Sequence, residues 1–389
     1  MDRKKSIVFC FFLLLTLSIS AQNKKGVKNF EGISYCKVTT FEDGSTMDDT
    51  KIDGVIYKKI KNAYYKRMYS GAIKSSWFGA EGNGRTDDTE AVQKAVTWCV
   101  TNHKDLEIDG NHLISSSIII NREVDSKVYD YYFVIFSNSG GGFVTKTPIP
   151  IFTSTLPFSC CPVSQLILFR DLNFRSLNPE DASYVLDGSK FLRIQFMNCS
   201  FNAIKLLYAT KYLQTIYLSN CNMRFWKGDF LKSTATCYDI RMLGCIAEHG
   251  EGTCLYLTVP SGCSIQSSLI EGMTGSAIAL NGCRGINISG NYLEGNKEAD
   301  INMTVGKNSF GGVAIVGNFF ANTNKTGNLY SVLWPKASVT GAISHGNYAN
   351  TNLHFFPDKI KADLQDSAKY RLTNFQINKP DRMNENIVP

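Results

Sequence analysis

The chain has 389 residues, a formal charge of +7 and 43% hydrophobic residues. No apolar run after the first twenty residues approaches membrane length, which excludes a transmembrane span there. The mild basic excess suits an anionic partner such as an acidic polysaccharide, and a solvated surface explains it equally well.

Arg3, Lys4 and Lys5 precede an apolar run from Ile7 to Leu17 and small residues from Ser18 to Ala21. This pattern predicts a secretory signal peptide over 1–21, and hence export to the periplasm or the extracellular space. Of the twelve cysteines, only Cys10 falls in that segment. The others match no zinc-binding spacing, so no metal site is expected from them. Residues 22–72 are polar with scattered strand-like pieces and the turn dipeptides Asp43-Gly44 and Asp53-Gly54, which predict a small β-rich leader.

The stretch Trp77–Val96, WFGAEGNGRTDDTEAVQKAV, joins a glycine-rich turn to a helix start. Asp87 with Glu90 three residues later reads as an N-cap and capping-box partner. The helix predicted over 88–101 places Ala91, Val92, Ala95, Val96 and Cys99 on one apolar face. Residues 106–120 then read as two short strands about a turn at Asp109-Gly110. Residues 127–165 are less regular, with glycines at 140–142 and prolines at 148 and 150, and suit an excursion or lid.

From about residue 166 a repeat sets the fold. Six-residue windows recur as FRDLNF (169–174), FMNCSF (196–201), LSNCNM (218–223), MLGCIA (242–247), IQSSLI (265–270), ISGNYL (288–293), IVGNFF (315–320) and SHGNYA (344–349). Their first and sixth positions are mostly large and apolar, as stacked strands around a continuous interior require. The third position (Asp171, Asn198, Asn220, Gly244, Ser267, Gly290, Gly317, Gly346) holds residues suited to left-handed backbone at a bend. The fourth carries Cys199, Cys221 and Cys245, then Asn291, Asn318 and Asn347, which predicts buried free thiols followed by an asparagine ladder. The fold expected is all-β, a right-handed parallel β-helix over 73–356. The charged tail, 357–389, is expected to cover the last coil, whose edge would otherwise invite aggregation.

The Trp77–Val96 stretch resembles the opening motif of the pectate-lyase-like superfamily of β-helix proteins, close to FGAxGDGxTDDTxAIQxAI, with Asn83 in place of the customary Asp. DGVIYKK (53–59) and YYKRMYSG (64–71) look like the neck that precedes it in tailspike-like members. The resemblance implies work on polysaccharides without fixing a reaction, since the superfamily holds lyases, hydrolases, epimerases and binding proteins. The polygalacturonase catalytic set and the paired-arginine signature of calcium-dependent pectate lyases are both missing. Once the coils are counted, the helix after Asp88 is expected to close the N-terminal end of the stack rather than to do chemistry.

One position past each window lies a column expected to point outward: Arg175, Asn202, Arg224, Glu248, Glu271, Glu294, Ala321 and Asn350. Coils lie about 4.8 Å apart, so Glu248, Glu271 and Glu294 would form a carboxylate row. Such a row needs compensation by a cation, a bound sugar or raised pKa values, and coupled carboxylates are what acid/base glycan chemistry uses. The same Glu-Gly pairs also suit a plain turn device. Glu248, Glu271 and Glu294 are the candidate catalytic residues, with Arg224, Tyr256 and His249 as candidate substrate contacts. A carboxylate row could hold calcium, but no full set of oxygen ligands is readable, and no other cofactor is expected. No phosphate loop or nucleophile elbow occurs, and no nucleic-acid partner is expected. The sequence thus points to an exported polysaccharide lyase or glycoside hydrolase. The alternative is a non-catalytic, tailspike-like carbohydrate-binding adhesin, as a monomer or a homotrimer.

Overall fold

The computed structural model describes residues 26–122, 132–156, 166–178, 180, 183–321, 331–335 and 339–349. The predicted signal peptide, the tail from 357 and Asn350 lie outside these residues. Two compact units divide between Ala72 and Ile73.

The first unit is a four-stranded antiparallel sheet in the order Val27–Phe30, Ile33–Val38, Ala63–Arg67, Tyr57–Ile60. Tyr35 and Tyr65 are buried on one face of it and Tyr57 on the other.

The second unit is a right-handed parallel β-helix of about nine turns among the described residues. Each coil gives one strand to a short sheet and two to a long one, with 11 and 19 strands respectively. Side chains that point inward stack on their equivalents one coil away. Phe143, Phe174 and Phe201 pile up at 5.8 and 5.3 Å, and Phe169 on Phe196 at 4.9 Å. Each such ring contributes about 1.5–3 kcal/mol by burial, and each stacked pair about 0.5–1.5 kcal/mol more.

The bends follow the third window position. Asp171, Asn198, Asn220, Gly244, Ser267, Gly290, Gly317 and Gly346 all have φ between 50° and 64°. Beside them the asparagine ladder satisfies backbone that the bend leaves without strand partners. Asn318 Oδ1 accepts from Asn291 N at 3.0 Å while its Nδ2 donates to Ile288 O at 2.9 Å, and Asn347 repeats both bonds one coil on. The column continues upward through Ser268, which accepts from Cys245 N at 3.1 Å. All nine described cysteines are free thiols, and eight of them are buried.

Helix α1 (Thr89–Thr101) occupies the place of a long-sheet strand in the first coil and packs Val92, Ala95, Val96, Trp98 and Cys99 inward. It packs against Ile73–Lys74, Leu106–Glu107 and Ile118–Ile119 of the long sheet and Asn111–Ile114 of the short one, as an end cap does. The capping box is not formed. Glu90 pairs with Lys94 at 2.6 Å, and Asp87 instead accepts from Thr89 N at 3.0 Å. Asp88 turns inward, accepting from Glu81 N and Gly82 N at 2.7 and 2.9 Å.

The strands expected on either side of Asp109-Gly110 are present with a third beyond them: Leu106–Glu107 and Ile118–Ile119 join the long sheet and Asn111–Ile114 the short one, so the segment is one coil. One further expectation is corrected. The segment 127–165 is no lid where it is described, because Phe133–Phe136, Gly142–Thr145 and Pro150–Thr153 form a regular coil. The glycines there answer to close stacking. A Cβ on Gly142 would lie 1.8 Å from Asn173 O.

Candidate functional site

The predicted column is real and in register. On the short sheet Arg175, Asn202, Arg224, Glu248, Glu271, Glu294 and Ala321 are strand partners in unbroken succession. Inward-facing Met223, Ala247, Ile270 and Leu293 precede the four central members and are fully buried, which fixes the outward direction of the column. Ala321 departs from the expectation. It is 1% exposed and adds nothing to the outer surface.

The residue after each of the five column members from Asn202 to Glu294 sits in left-handed backbone: Ala203, Phe225, His249, Gly272 and Gly295 have φ between 56° and 71°. Its N–H donates to the carbonyl of the column residue one coil on, as in His249 N to Glu271 O at 3.0 Å and Gly272 N to Glu294 O at 2.9 Å. The Glu-Gly pairs are therefore a turn device, and the device holds the carboxylates in line.

Three neighbouring carboxylates have three different settings. Glu248 is paired with Arg224 at 2.5 Å, with side chains 20% and 44% exposed, so the pair is partly screened. Glu294 accepts from the Tyr292 hydroxyl at 2.8 Å, and this raises the tyrosine pKa. Glu271, between them and half-buried, makes no side-chain hydrogen bond or ion pair among the described residues. Its lone pairs are the ones open to a ligand. No group of three or more His, Cys, Asp or Glu side chains among the described residues converges as a metal site.

His249 sits at the rim of the row. Its exposed ring stacks on Phe225 at 5.7 Å and 11°, and it packs against Gly272, where a Cβ would meet Nδ1 at 3.1 Å. Tyr256 is placed elsewhere. The bend at His249 carries the chain round to the long sheet, so Tyr256 does not share the face of the glutamates. Its ring lies under Lys232 Nζ at 5.1 Å.

A second outward column runs beside the first, two residues earlier on each strand. Ile246, Leu269, Tyr292, Phe319 and Tyr348 are strand partners in succession. Tyr292 stacks on Phe319 at 5.1 Å and 11°, and Phe319 on Tyr348 at 5.3 Å and 24°. Tyr292 and Tyr348 are 37% and 40% exposed, so the ladder presents aromatic surface to solvent beside the carboxylates. These are the windows' fifth-position residues, and their aromatic run over the last coils was the available signal. At the other end of the same sheet a groove of about 550 Å³ is lined by Arg85, Asn111, Asn173, Arg175 and Asn202 among others.

A chain of atoms at the cap, Ser75 Oγ to His112 Nε2 at 2.8 Å and His112 Nδ1 to Asp88 Oδ2 at 2.7 Å, has the order of a hydrolase triad. All three residues are at most 2% exposed, and Ser75 Oγ also donates to Asp109 at 2.7 Å. No substrate reaches that hydroxyl. The chain locks the cap.

No family model matches the sequence. A stretch of 47 residues, 12% of the chain, is 47% identical to a Klebsiella pneumoniae protein described as "Uncharacterized 65.4 kDa protein in cps region", of which it spans 8%. Three tailspike structures resemble the fold. That of Acinetobacter baumannii phage AM24 has a TM-score of 0.51 at 17% identity, over 83% of this chain and 64% of that one. The enzymatically active domain of bacteriophage CBA120 tailspike protein 4 gives 0.54 at 12%, over 83% and 50%. The tailspike of Acinetobacter phage vB_ApiP_P1 gives 0.51 at 16%, over 80% and 62%. The chain thus spans half to two-thirds of these proteins. At such identities the likeness is architectural: the chain shares with these tailspike proteins the right-handed parallel β-helix.

Proposed function

We propose that this protein binds an extended polysaccharide along the outer face of the short sheet and cleaves it by carboxylate chemistry. One observation carries the reading: the unpartnered Glu271 carboxylate stands between two partnered glutamates, beside an exposed aromatic ladder. Aromatic faces suit the apolar faces of sugar rings, and polar side chains in the groove farther along the same sheet suit their hydroxyls. Neighbouring coils about 4.8 Å apart bring Glu271 and Glu294 near the separation of about 5–5.5 Å used by retaining glycosidases. In this scheme Glu294, whose ionised carboxylate accepts the hydrogen bond from Tyr292, is the nucleophile, and Glu271 is the acid/base that protonates the leaving oxygen and then activates the water. Arg224 keeps Glu248 from adding a third free charge. Export by a signal peptide accords with a polymer met outside the cell.

The experiment is turnover of a panel of acidic and neutral glycans, followed both by new reducing ends and by the absorbance of unsaturated products. Hydrolysis releases only the former; elimination releases both. Glu271→Gln is expected to lower the rate by about 10²–10⁴-fold. Full activity in that variant would remove Glu271 from the mechanism. The likeness in fold to tailspike proteins favours a second reading, carbohydrate binding without turnover. Retention of a glycan that is never cut, lost in Tyr292→Ala, would decide for it.

A further inference from the structure

The leader sheet carries a charge pattern that the proposed function does not use. Its four strands hold the basic residues Lys28, Lys37, Lys58, Lys59, Lys66 and Arg67, and no acidic one. Strand register divides them between the two faces. Lys59 and Lys66 lie on the face of Tyr57, and each has its counter-charge, Asp49 at 2.6 Å and Glu42 at 2.7 Å. Lys28, Lys37, Lys58 and Arg67 lie on the other face, one from each strand, spread over about 14 Å. Lys28, Lys37 and Lys58 form no ion pair among the described residues. The acidic residues closest to them in sequence stand at turns: Glu31 follows the first strand, and Asp53 accepts from the amides of Val55, Ile56 and Tyr57.

Two tyrosines sit beneath these cations. Lys28 Nζ lies 5.0 Å from the ring centroid of Tyr65, and Lys58 Nζ 5.1 Å from that of Tyr35. The rings are 6% and 1% exposed, so they hold the lysines by cation–π attraction and present no ring face of their own. A sugar, which stacks on an open aromatic face, finds none here. What the face presents is a flat array of ammonium groups on long stems. Half-buried Phe30 and Ile33 flank it at one end and Ile60 at the other.

Such an array attracts an anionic surface, each lysine near the phosphates adding about fivefold in affinity. A phospholipid bilayer fits the rest of the face as well. It is flat, its headgroups rearrange to meet fixed lysines, and its interfacial zone takes apolar side chains such as Phe30 and Ile33. We infer that this face docks the protein peripherally on an anionic phospholipid surface. The inference stands apart from the polysaccharide reading, which concerns the other unit.

The chain is tested without its predicted signal peptide, as residues 22–389, so that the apolar run from Ile7 to Leu17 does not insert. Co-sedimentation with vesicles of equal parts phosphatidylglycerol and phosphatidylcholine is compared with pure phosphatidylcholine at physiological ionic strength. Binding is expected to the first only, and to weaken as salt is raised. Lys28→Gln, Lys37→Gln and Lys58→Gln together should lower the affinity about 100-fold, and Lys37→Gln alone, at a lysine that covers no ring, about fivefold. Lys28→Arg, Lys37→Arg and Lys58→Arg together should keep it, since the charge stays. Removing the same charge from the β-helix, at exposed Lys146, Lys211 and Lys307, should leave binding nearly intact. Melting temperatures are measured alongside, and Lys37→Gln carries the comparison if the triple glutamine variant does not fold. Equal binding to both vesicles, no binding to either, or equal affinity in wild type and Lys37→Gln would overturn the inference. Tighter binding to duplex DNA or polygalacturonate than to the vesicles at equal charge concentration, lost in the same variants, would give the face to a soluble polyanion instead. Vesicle binding with no glycan retained or cut leaves this inference standing and removes the polysaccharide reading; glycan turnover without vesicle binding does the reverse.

Discussion

Asp300 offers a prediction about stability that can be worked through from its setting. The side chain is 2% exposed; Oδ1 accepts from Asn296 Nδ2 at 2.7 Å, and Oδ2 is a sealed oxygen without a hydrogen-bond partner. Desolvation outweighs the stabilisation that Asn296 and the nearby Ser331 hydroxyl give the charge, raising the pKa from 3.8 to about 6. The sign follows from proton linkage. Between the two values the unfolded chain has released its proton and the folded one has not, so stability falls as pH rises through that window. By pH 7 the ionised, buried form costs about 3 kcal/mol relative to acid conditions. Asp300→Asn removes the charge, keeps the oxygen that Asn296 uses, and adds an N–H where Oδ2 was. It should leave stability nearly unchanged at pH 4 and raise it by about 1–3 kcal/mol at pH 7, the lower figure allowing for an imperfectly placed amide. Urea unfolding of both proteins at several pH values between 4 and 7 measures the difference, which cancels the carboxylates common to both. A difference that does not grow with pH would refute the reasoning.

Other outcomes follow from single contacts. Asn318→Ala strips partners from Asn291 N and Ile288 O in a position 1% exposed, and should cost about 3 kcal/mol by denaturant unfolding. Asn318→Ser should cost less, because Ser268 fills the same column two coils earlier with bonds to Gln266 O at 2.8 Å and from Cys245 N. Gly250→Ala would bring a Cβ to 2.2 Å from the buried Trp226 ring, for a loss of about 3 kcal/mol. Trp226→Phe in the same chain should recover part of that loss, and a double-mutant cycle reads the coupling. Tyr292→Ala interrupts the exposed aromatic stack at its glutamate end and should weaken glycan retention by about tenfold, if one stacked ring contributes about 1–1.5 kcal/mol.

The coil pattern was legible because stacking demands it. Phe174, Phe201, Met223 and Leu293 recur at one place since each must meet its equivalent one coil away, and Asn198 or Gly290 recur where the backbone turns left-handed. That regularity carried the glutamate column to its correct register without any structure. The coil at Phe133–Phe136 was missed because Gly140, Gly141 and Gly142 resemble a loop when the backbone they admit is unseen. The position of Tyr256 relative to the glutamates was not legible for a related reason. Bends set the face on which a strand lies, and their lengths vary too much to count across from the glutamates. The Arg224–Glu248 pair was legible as neighbours, but which of the three glutamates lacked a partner was not.

The bend after each glutamate has a consequence for how such a surface can change. Glu248, Glu271 and Glu294 are strand partners and 23 residues apart, and each is followed by a residue in left-handed backbone. Removing residues 249–271 would rejoin Glu248 to Gly272 and bring Glu294 into register with Glu248, leaving every other column aligned. Because each coil contacts chiefly its neighbours, the loss is confined to one junction. The glutamate-bearing face can therefore lengthen or shorten in whole steps, like a measuring rule, without being redesigned at each length.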